Sequence, residues 1–287
     1  MAKELKNIGA SVRARLLNIA REQKQTFNFV LNRYAIERLL YRLSQSKHAD
    51  RFVLKGATLL MTWFDEPFRG TQDLDLLGYG DPDPDAVLGL FREILAIDDQ
   101  DGVNFDVAAA RIDRIREQIE YGGLRIRTIA EIGGAKVPVS VDIGFGDATE
   151  PGAEDLDFPV MLEMSAPKLQ GYARETVIAE KFQAMVTLGH ANTRLKDYYD
   201  TWILSQSFTF EDGRLPQAIA ATFDRRGTPI PADLPDALTP EFAANDEKKQ
   251  QWQSFIGDVA FDPGSLADVV ESIASFLMPQ AGLAAKL

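Results

Sequence analysis

An α+β fold, helical at both ends with strands between, is predicted for this chain of 287 residues by three observations. Residues Ser11 to Lys47 repeat their apolar side chains at three- and four-residue steps. The middle holds two alternating segments joined by Gly133-Gly134, and from Ala166 onward the pattern turns helical again. The expected division is an N-terminal helical layer (1–50), a mixed core (51–160) and a mainly helical C-terminal domain (161–287), with the boundary between Gly144 and Pro167.

In the first segment Phe27, Val30, Leu31, Tyr34, Leu39, Leu40 and Leu43 form the apolar stripe, with Asn and Thr available as caps. Phe52-Val53-Leu54, then Gly56-Ala57-Thr58 and the apolar run Leu59 to Phe64, reads as strand, tight turn and helix. Leu74, Leu76 and Leu77 around two aspartates predict a strand. Beyond a loop rich in Asp, Pro and Gly, a helix follows with Val87, Leu90, Phe91, Ile94 and Leu95 on its core face. Leu124 to Ile129 and Val137 to Ile143 then alternate as a hairpin. Pro and Asp cluster at Pro229 to Pro235, and a last helix is predicted near Ser265 to Leu277.

The chain has no cysteine, which excludes disulfides, thiolate nucleophiles and cysteine-based metal sites and suits a reducing cytoplasm. His48 and His190 are too far apart in sequence to suggest a metal pair, no apolar run reaches the length of a membrane span, and the Met1 to Lys6 end lacks a signal-peptide pattern. The formal net charge of −12 opposes loose binding to a phosphate backbone and favours metal ions or a basic partner. An RNA substrate would have to be gripped locally. Arg111, Arg114, Arg116, Arg125 and Arg127 form one such local concentration of positive charge, with a solvated charged surface as the alternative.

In Asp73-Leu74-Asp75, strand alternation sends both carboxylates to one face while Leu74 and Leu76 anchor the other. Hard carboxylate oxygens facing an open cleft suit Mg²⁺, with Mn²⁺ as substitute, bound together with a triphosphate. Asp142, in the second alternating strand, is either a third metal ligand or a strand-end acid capping the turn at Gly144 to Asp147. The Gly56 turn offers backbone N–H groups for phosphate oxygens, with Lys55 and the Thr58 hydroxyl alongside; otherwise it is a plain strand-to-helix turn.

Lys181 falls inside the apolar stripe of Val177, Ile178, Phe182, Met185 and Leu188. Its ammonium either reaches nucleotide phosphates, escapes to solvent, or pairs with a structural acid. On the next helix Asp197 points away from the stripe of Leu195, Tyr198, Tyr199, Trp202 and Ile203, and Asp200 flanks it. Both read as surface acids, or as helix-end partners for Lys181 and Arg194.

The ordered set Lys55-Gly56-Ala57-Thr58, Arg69-Gly70-Thr71-Gln72-Asp73-Leu74-Asp75-Leu76, Val141-Asp142, Glu180-Lys181 and Arg194-x-Lys196-Asp197-x-x-Asp200 resembles the AbiEii/AbiGii toxin family of nucleotidyltransferases. Phe223 to Pro229, Leu238 to Phe242 and Trp252 extend the likeness from about Phe52 onward. The resemblance implies a polymerase-β-like nucleotidyltransferase core, a mixed sheet with flanking helices, plus a helical C-terminal domain. It further implies a type IV toxin–antitoxin or abortive-infection effector that moves a nucleotidyl group from a nucleoside triphosphate to a macromolecular acceptor, for some relatives the tRNA 3′ end.

By that resemblance Asp73 and Asp75 are the metal pair, Thr71 the small hydroxyl position, Lys181 the motif lysine and Asp197 the late catalytic aspartate, with Asp200 as a further match. Arg69, Lys55, Gly56 and Thr58 fall on the nucleotide side. Gly56-Ala57 departs from the family, where a second glycine or a serine is commoner. A cognate antitoxin is implied, its physical association left open. Two rival readings remain: a transferase acting on a small molecule such as an aminoglycoside, and a silent interaction module. Five charges at Lys55, Asp73, Asp75, Asp142 and Lys181 argue against the silent module, which has no physical reason to keep them.

Overall fold

The computed structural model describes residues 7–64, 70–71, 73–115, 122–257 and 259–287. They fall into two compact units. The first holds the described residues of Met1–Glu66, Gly70–Gly146 and Asp155–Gly171, and the second those of Asp147–Glu154 and Tyr172–Leu287.

The first unit opens with helices α1 (Ile8–Glu22) and α2 (Phe27–Gln45), so the helical stretch read as Ser11 to Lys47 is divided by a short turn. Asn7 starts α1 by accepting from the Ala10 N–H, and Val12, Leu16 and Ala20 form its buried side. In α2 the periodic residues Val30, Leu31, Leu39, Leu40 and Leu43 are all buried. So are Arg38 and Arg42, which no apolar stripe explains. Both converge on Asp101, with Arg38 Nε 2.9 Å from Oδ2 and Arg42 Nη1 2.6 Å from the same oxygen. Burial alone would raise the Asp101 carboxyl; the two guanidiniums outweigh it and hold the group below the usual carboxylate range.

The sheet comprises β1 (Phe52–Lys55), β2 (Asp73–Gly78), β3 (Val103–Phe105), β4 (Arg111–Ile115), β5 (Gly123–Ile132), β6 (Ala135–Phe145), β7 (Ala153–Asp157) and β8 (Lys168–Tyr172). Their spatial order is β3-β5-β6-β2-β1-β8-β7, with β4 also paired to β5. Strands β5 and β6 form the expected hairpin, closed by Gly133 and Gly134, both at positive φ (53° and 83°). Strand β2 runs parallel to β6 and antiparallel to β1, making the sheet mixed. Leu74, Leu76, Val141, Ile143, Leu124 and Ile126 are buried on one side. Fully burying each leucine stabilises the unit by roughly 1.5–3 kcal/mol. Helices α1 and α2 pack on β5 and β6, and α4 (Pro84–Leu95), capped by Asp83, packs on β4 and α2.

The expectation that the chain is helical from Ala166 is corrected by β8, which pairs in parallel with β1 through Val53 and Leu54. Lys-Leu-Gln-Gly-Tyr is too short to display a period of its own. Gly171 fits there because a Cβ would stand 2.2 Å from the Leu156 side chain.

The second unit is helical: α5 (Arg174–Leu188), α6 (Leu195–Ser207), α7 (Arg214–Arg225), α8 (Pro240–Ala244), α9 (Asp246–Ile256) and α10 (Leu266–Ala284). Ser265 and Asp268 form a capping box at the start of α10, which packs on α6, α7 and α8. No described helix is long and apolar enough to cross a membrane.

Candidate active site

The N-terminal end of β2 carries the paired acids. Asp73 is exposed, Leu74 buried and Asp75 half-buried, so both carboxylates lie on the open side of the sheet. Strand register builds a row of charges around them. Lys55 on β1 stands opposite Asp75, Asp75 opposite Asp142 on β6, Asp142 opposite Arg125 on β5, and Arg125 opposite Asp113 on β4. Directly paired residues point to one face, so the five side chains form a single line across five strands.

Residues around β2 hold the acids in place. Lys55 precedes the one-turn helix α3 (Gly56–Leu60). Gly56 has φ +68°, and a Cβ there would meet Asp75 Oδ2 at 2.1 Å, so only glycine lets the two chain segments approach this closely. The Thr58 hydroxyl, expected beside phosphate oxygens, is buried and donates to the Asp73 carbonyl at 3.1 Å. Thr71 makes a longer contact with the same carbonyl, 3.5 Å. Both threonines therefore bear on the β2 backbone. Arg69 lies outside the described residues.

Asp142 does not cap the turn that follows it. Arg125 grips it with both arms of the guanidinium, Nε standing 2.6 Å from Oδ1 and Nη2 binding Oδ2. The Asp142 hydrogen bonds, against the opposing effect of desolvation, raise the Arg125 pKa further above its ordinary value, and the charges of Asp142, Asp73 and Asp75 add to the effect. Among the described residues no group of three His, Asp or Glu side chains is gathered closely enough to hold a metal ion. Asp73 and Asp75 still fit Mg²⁺, which takes one or two carboxylates and completes its octahedron with water and phosphate oxygens.

In the second unit, Lys181 on α5 is 12% exposed and binds two acids of α6, Asp197 Oδ1 at 2.6 Å and Asp200 Oδ2 at 2.8 Å. Asp200 is completely buried, which corrects its reading as a surface acid. The apolar phase of Lys181 is thus resolved by pairing with acids across the α5–α6 contact. Beside it, Glu180 and Asp147 bind Arg226, each at 3.0 Å, and Gln183 Oε1 accepts from Arg226 Nη1 at 2.9 Å. Sequence reasoning assigned Arg226 no part beyond the family-like stretch Phe223 to Pro229. The signal for Arg125 as partner of Asp142 was its place in an alternating strand.

A mixed sheet with two carboxylates at one strand end and flanking helices is the setting that the resemblance to nucleotidyltransferases implies. A family model described as nucleotidyl transferase AbiEii toxin, type IV TA system, matches residues 38–275, and the chain belongs to that family. Two crystal structures are also similar. One is a protein from H. pylori described provisionally as a nucleotidyltransferase, with 15% identity, 90% of this chain and 95% of that chain covered, and a TM-score of 0.47. The other is JHP933 from Helicobacter pylori, with 15% identity, 88% and 89% coverage, and a TM-score of 0.46. No curated protein matches the chain.

Proposed function

We propose that this toxin-family nucleotidyl transferase uses Mg²⁺ held by Asp73 and Asp75 to transfer a nucleotidyl group from a nucleoside triphosphate to a macromolecular acceptor, the tRNA 3′ end. The observation that carries the proposal is the placement of two outward carboxylates at the start of β2, with Asp75 packed against the Gly56 turn and in register with Lys55. When bound, the dication neutralises triphosphate charge and eases deprotonation of the attacking hydroxyl.

The acceptor hydroxyl attacks the α-phosphorus in line. A new P–O bond forms, the bond from the α-phosphorus to the β-phosphate oxygen breaks, the hydroxyl proton passes to solvent, and pyrophosphate departs. The chain contributes positioning and fixed charge. Lys55 supports the negative charge beside Asp75, and the Gly56 turn keeps that carboxylate in place. Lys181 and Asp197 are taken, by family resemblance, to act on the phosphates and the acceptor. An antitoxin is the expected cellular partner, with the cytoplasm as setting.

The test is incubation with each α-³²P nucleoside triphosphate, Mg²⁺ and total tRNA, followed by a denaturing gel. Label should appear on tRNA, vanish with EDTA, and vanish in the Asp75→Asn variant. Label confined to a drug or to the protein itself, or activity retained in that variant, would sink the proposal.

A further inference from the structure

Within the basic stretch in the middle of the chain, Arg125 is bound to Asp142. Strand pairing gathers three of its arginines on the side of the sheet that carries Asp73 and Asp75. A second row, parallel to the first, runs from Asp73 on β2 to Ser140 on β6, Arg127 on β5 and Arg111 on β4. At ~4.8 Å per strand, Arg127 lies roughly 10 Å and Arg111 roughly 14 Å from Asp73 along that row. Buried residues Leu124, Ile126 and Thr128 alternate with half-buried Arg125 and Arg127, and Arg111 is exposed.

Arg111 and Arg127 stand directly opposite each other in an antiparallel ladder. Like charges in that position destabilise a strand pair, and of the two only Arg127 has a compensating acid among the described contacts, Asp113. Asp113 pairs with Arg127 and Asp142 with Arg125, whereas Arg111 has no acid bound to it among the described contacts. In a chain of net charge −12, two adjacent arginines on the face of an acidic pair are a local feature.

We infer that the β4–β5 face, through Arg111 and Arg127, binds the phosphate backbone of the nucleic-acid acceptor and leads its 3′ end toward Asp73 and Asp75. This rests on the proposed transfer to a polynucleotide. A polyanion relieves the Arg111–Arg127 repulsion, and guanidinium forks suit phosphate oxygens. An acidic protein segment would satisfy the same charges, but the shared face with Asp73 and Asp75 favours the molecule whose hydroxyl must arrive there.

The experiment is fluorescence anisotropy of a 5′-fluorescein RNA hairpin with a short single-stranded 3′ tail, titrated with the full-length protein across a range of salt. The Arg111→Gln/Arg127→Gln variant should bind at least about tenfold more weakly than the parent. Its dependence of log K on log salt should flatten by ~1.4, about 0.7 for each lost single-strand phosphate contact. Arg111→Lys/Arg127→Lys should retain most of that slope, and melting temperatures should be alike. Unchanged affinity and slope in the Gln variant, or no binding by the parent, would overturn the inference. Displacement of the RNA by poly-glutamate as readily as by unlabelled RNA would overturn it in favour of an acidic protein. Binding through these arginines without label transfer would leave the surface standing and refute the transferase reading.

Discussion

Arg125 occupies both oxygens of Asp142, while Asp75, one strand away in the same row, is held against the Gly56 turn. Asp75 and Asp142 therefore have unequal environments, and that inequality has measurable consequences.

Asp73→Asn and Asp75→Asn should each reduce single-turnover transfer by on the order of 10²–10³ or more, the scale for losing a group that stabilises transition-state charge. Asp142→Asn should cost less, about 10–100-fold, as expected for a residue that orients its neighbours. Rapid-quench rates of the three variants decide the point; equal losses would place Asp142 among the metal ligands.

Gly56→Ala should destabilise the first unit by about 1–3 kcal/mol, since it combines a disfavoured positive φ with a collision at Asp75. Urea denaturation measures the loss, and transfer activity should fall with it because the displaced group is the Asp75 carboxylate. Parental stability and activity together would contradict the close approach of these two residues.

Asp200→Ala should destabilise the second unit more than Asp197→Ala. Asp200 is fully buried beside Lys181, whereas Asp197 is 16% exposed. Removing one partner of a buried pair costs roughly 3–5 kcal/mol, and the loss at Asp197 is smaller because Asp200 still compensates the lysine. Chemical denaturation of both variants gives the ranking, which the reverse order would refute.

Glu37 provides a pH test. Burial, only partly offset by the Met161 N–H and by Arg38, raises its pKa to about 7. The folded state holds this proton more tightly than the unfolded chain. The associated stability is complete below the ordinary value of 4.5 and is lost as pH rises through about 7. A shift of that size corresponds to on the order of 3 kcal/mol. Between pH 5 and pH 8 the parent should therefore lose stability relative to Glu37→Gln, as read from urea midpoints. Parallel pH profiles would show that Glu37 ionises normally.

Local pattern carried much of this architecture. Alternation around Asp73 and Asp75 determined that both acids share a face, because strand geometry has a period of two. The paired glycines at Gly133 and Gly134 marked the β5–β6 hairpin, and helical spacing located α2, α4 and α10. The pairing of distant strands was decided by tertiary structure. Nothing local says that Asp142 lies opposite Asp75, that Thr58 turns its hydroxyl to the Asp73 carbonyl, or that Lys168–Tyr172 joins the sheet. Lys181 shows the same division: its helical phase put it inside an apolar stripe and left Asp197 and Asp200 as surface acids or as its partners, and the packing of α5 on α6 decided for the pairing. Side-chain period is a property of neighbouring residues, whereas register and ion pairing depend on which segments are brought together when the apolar faces are buried.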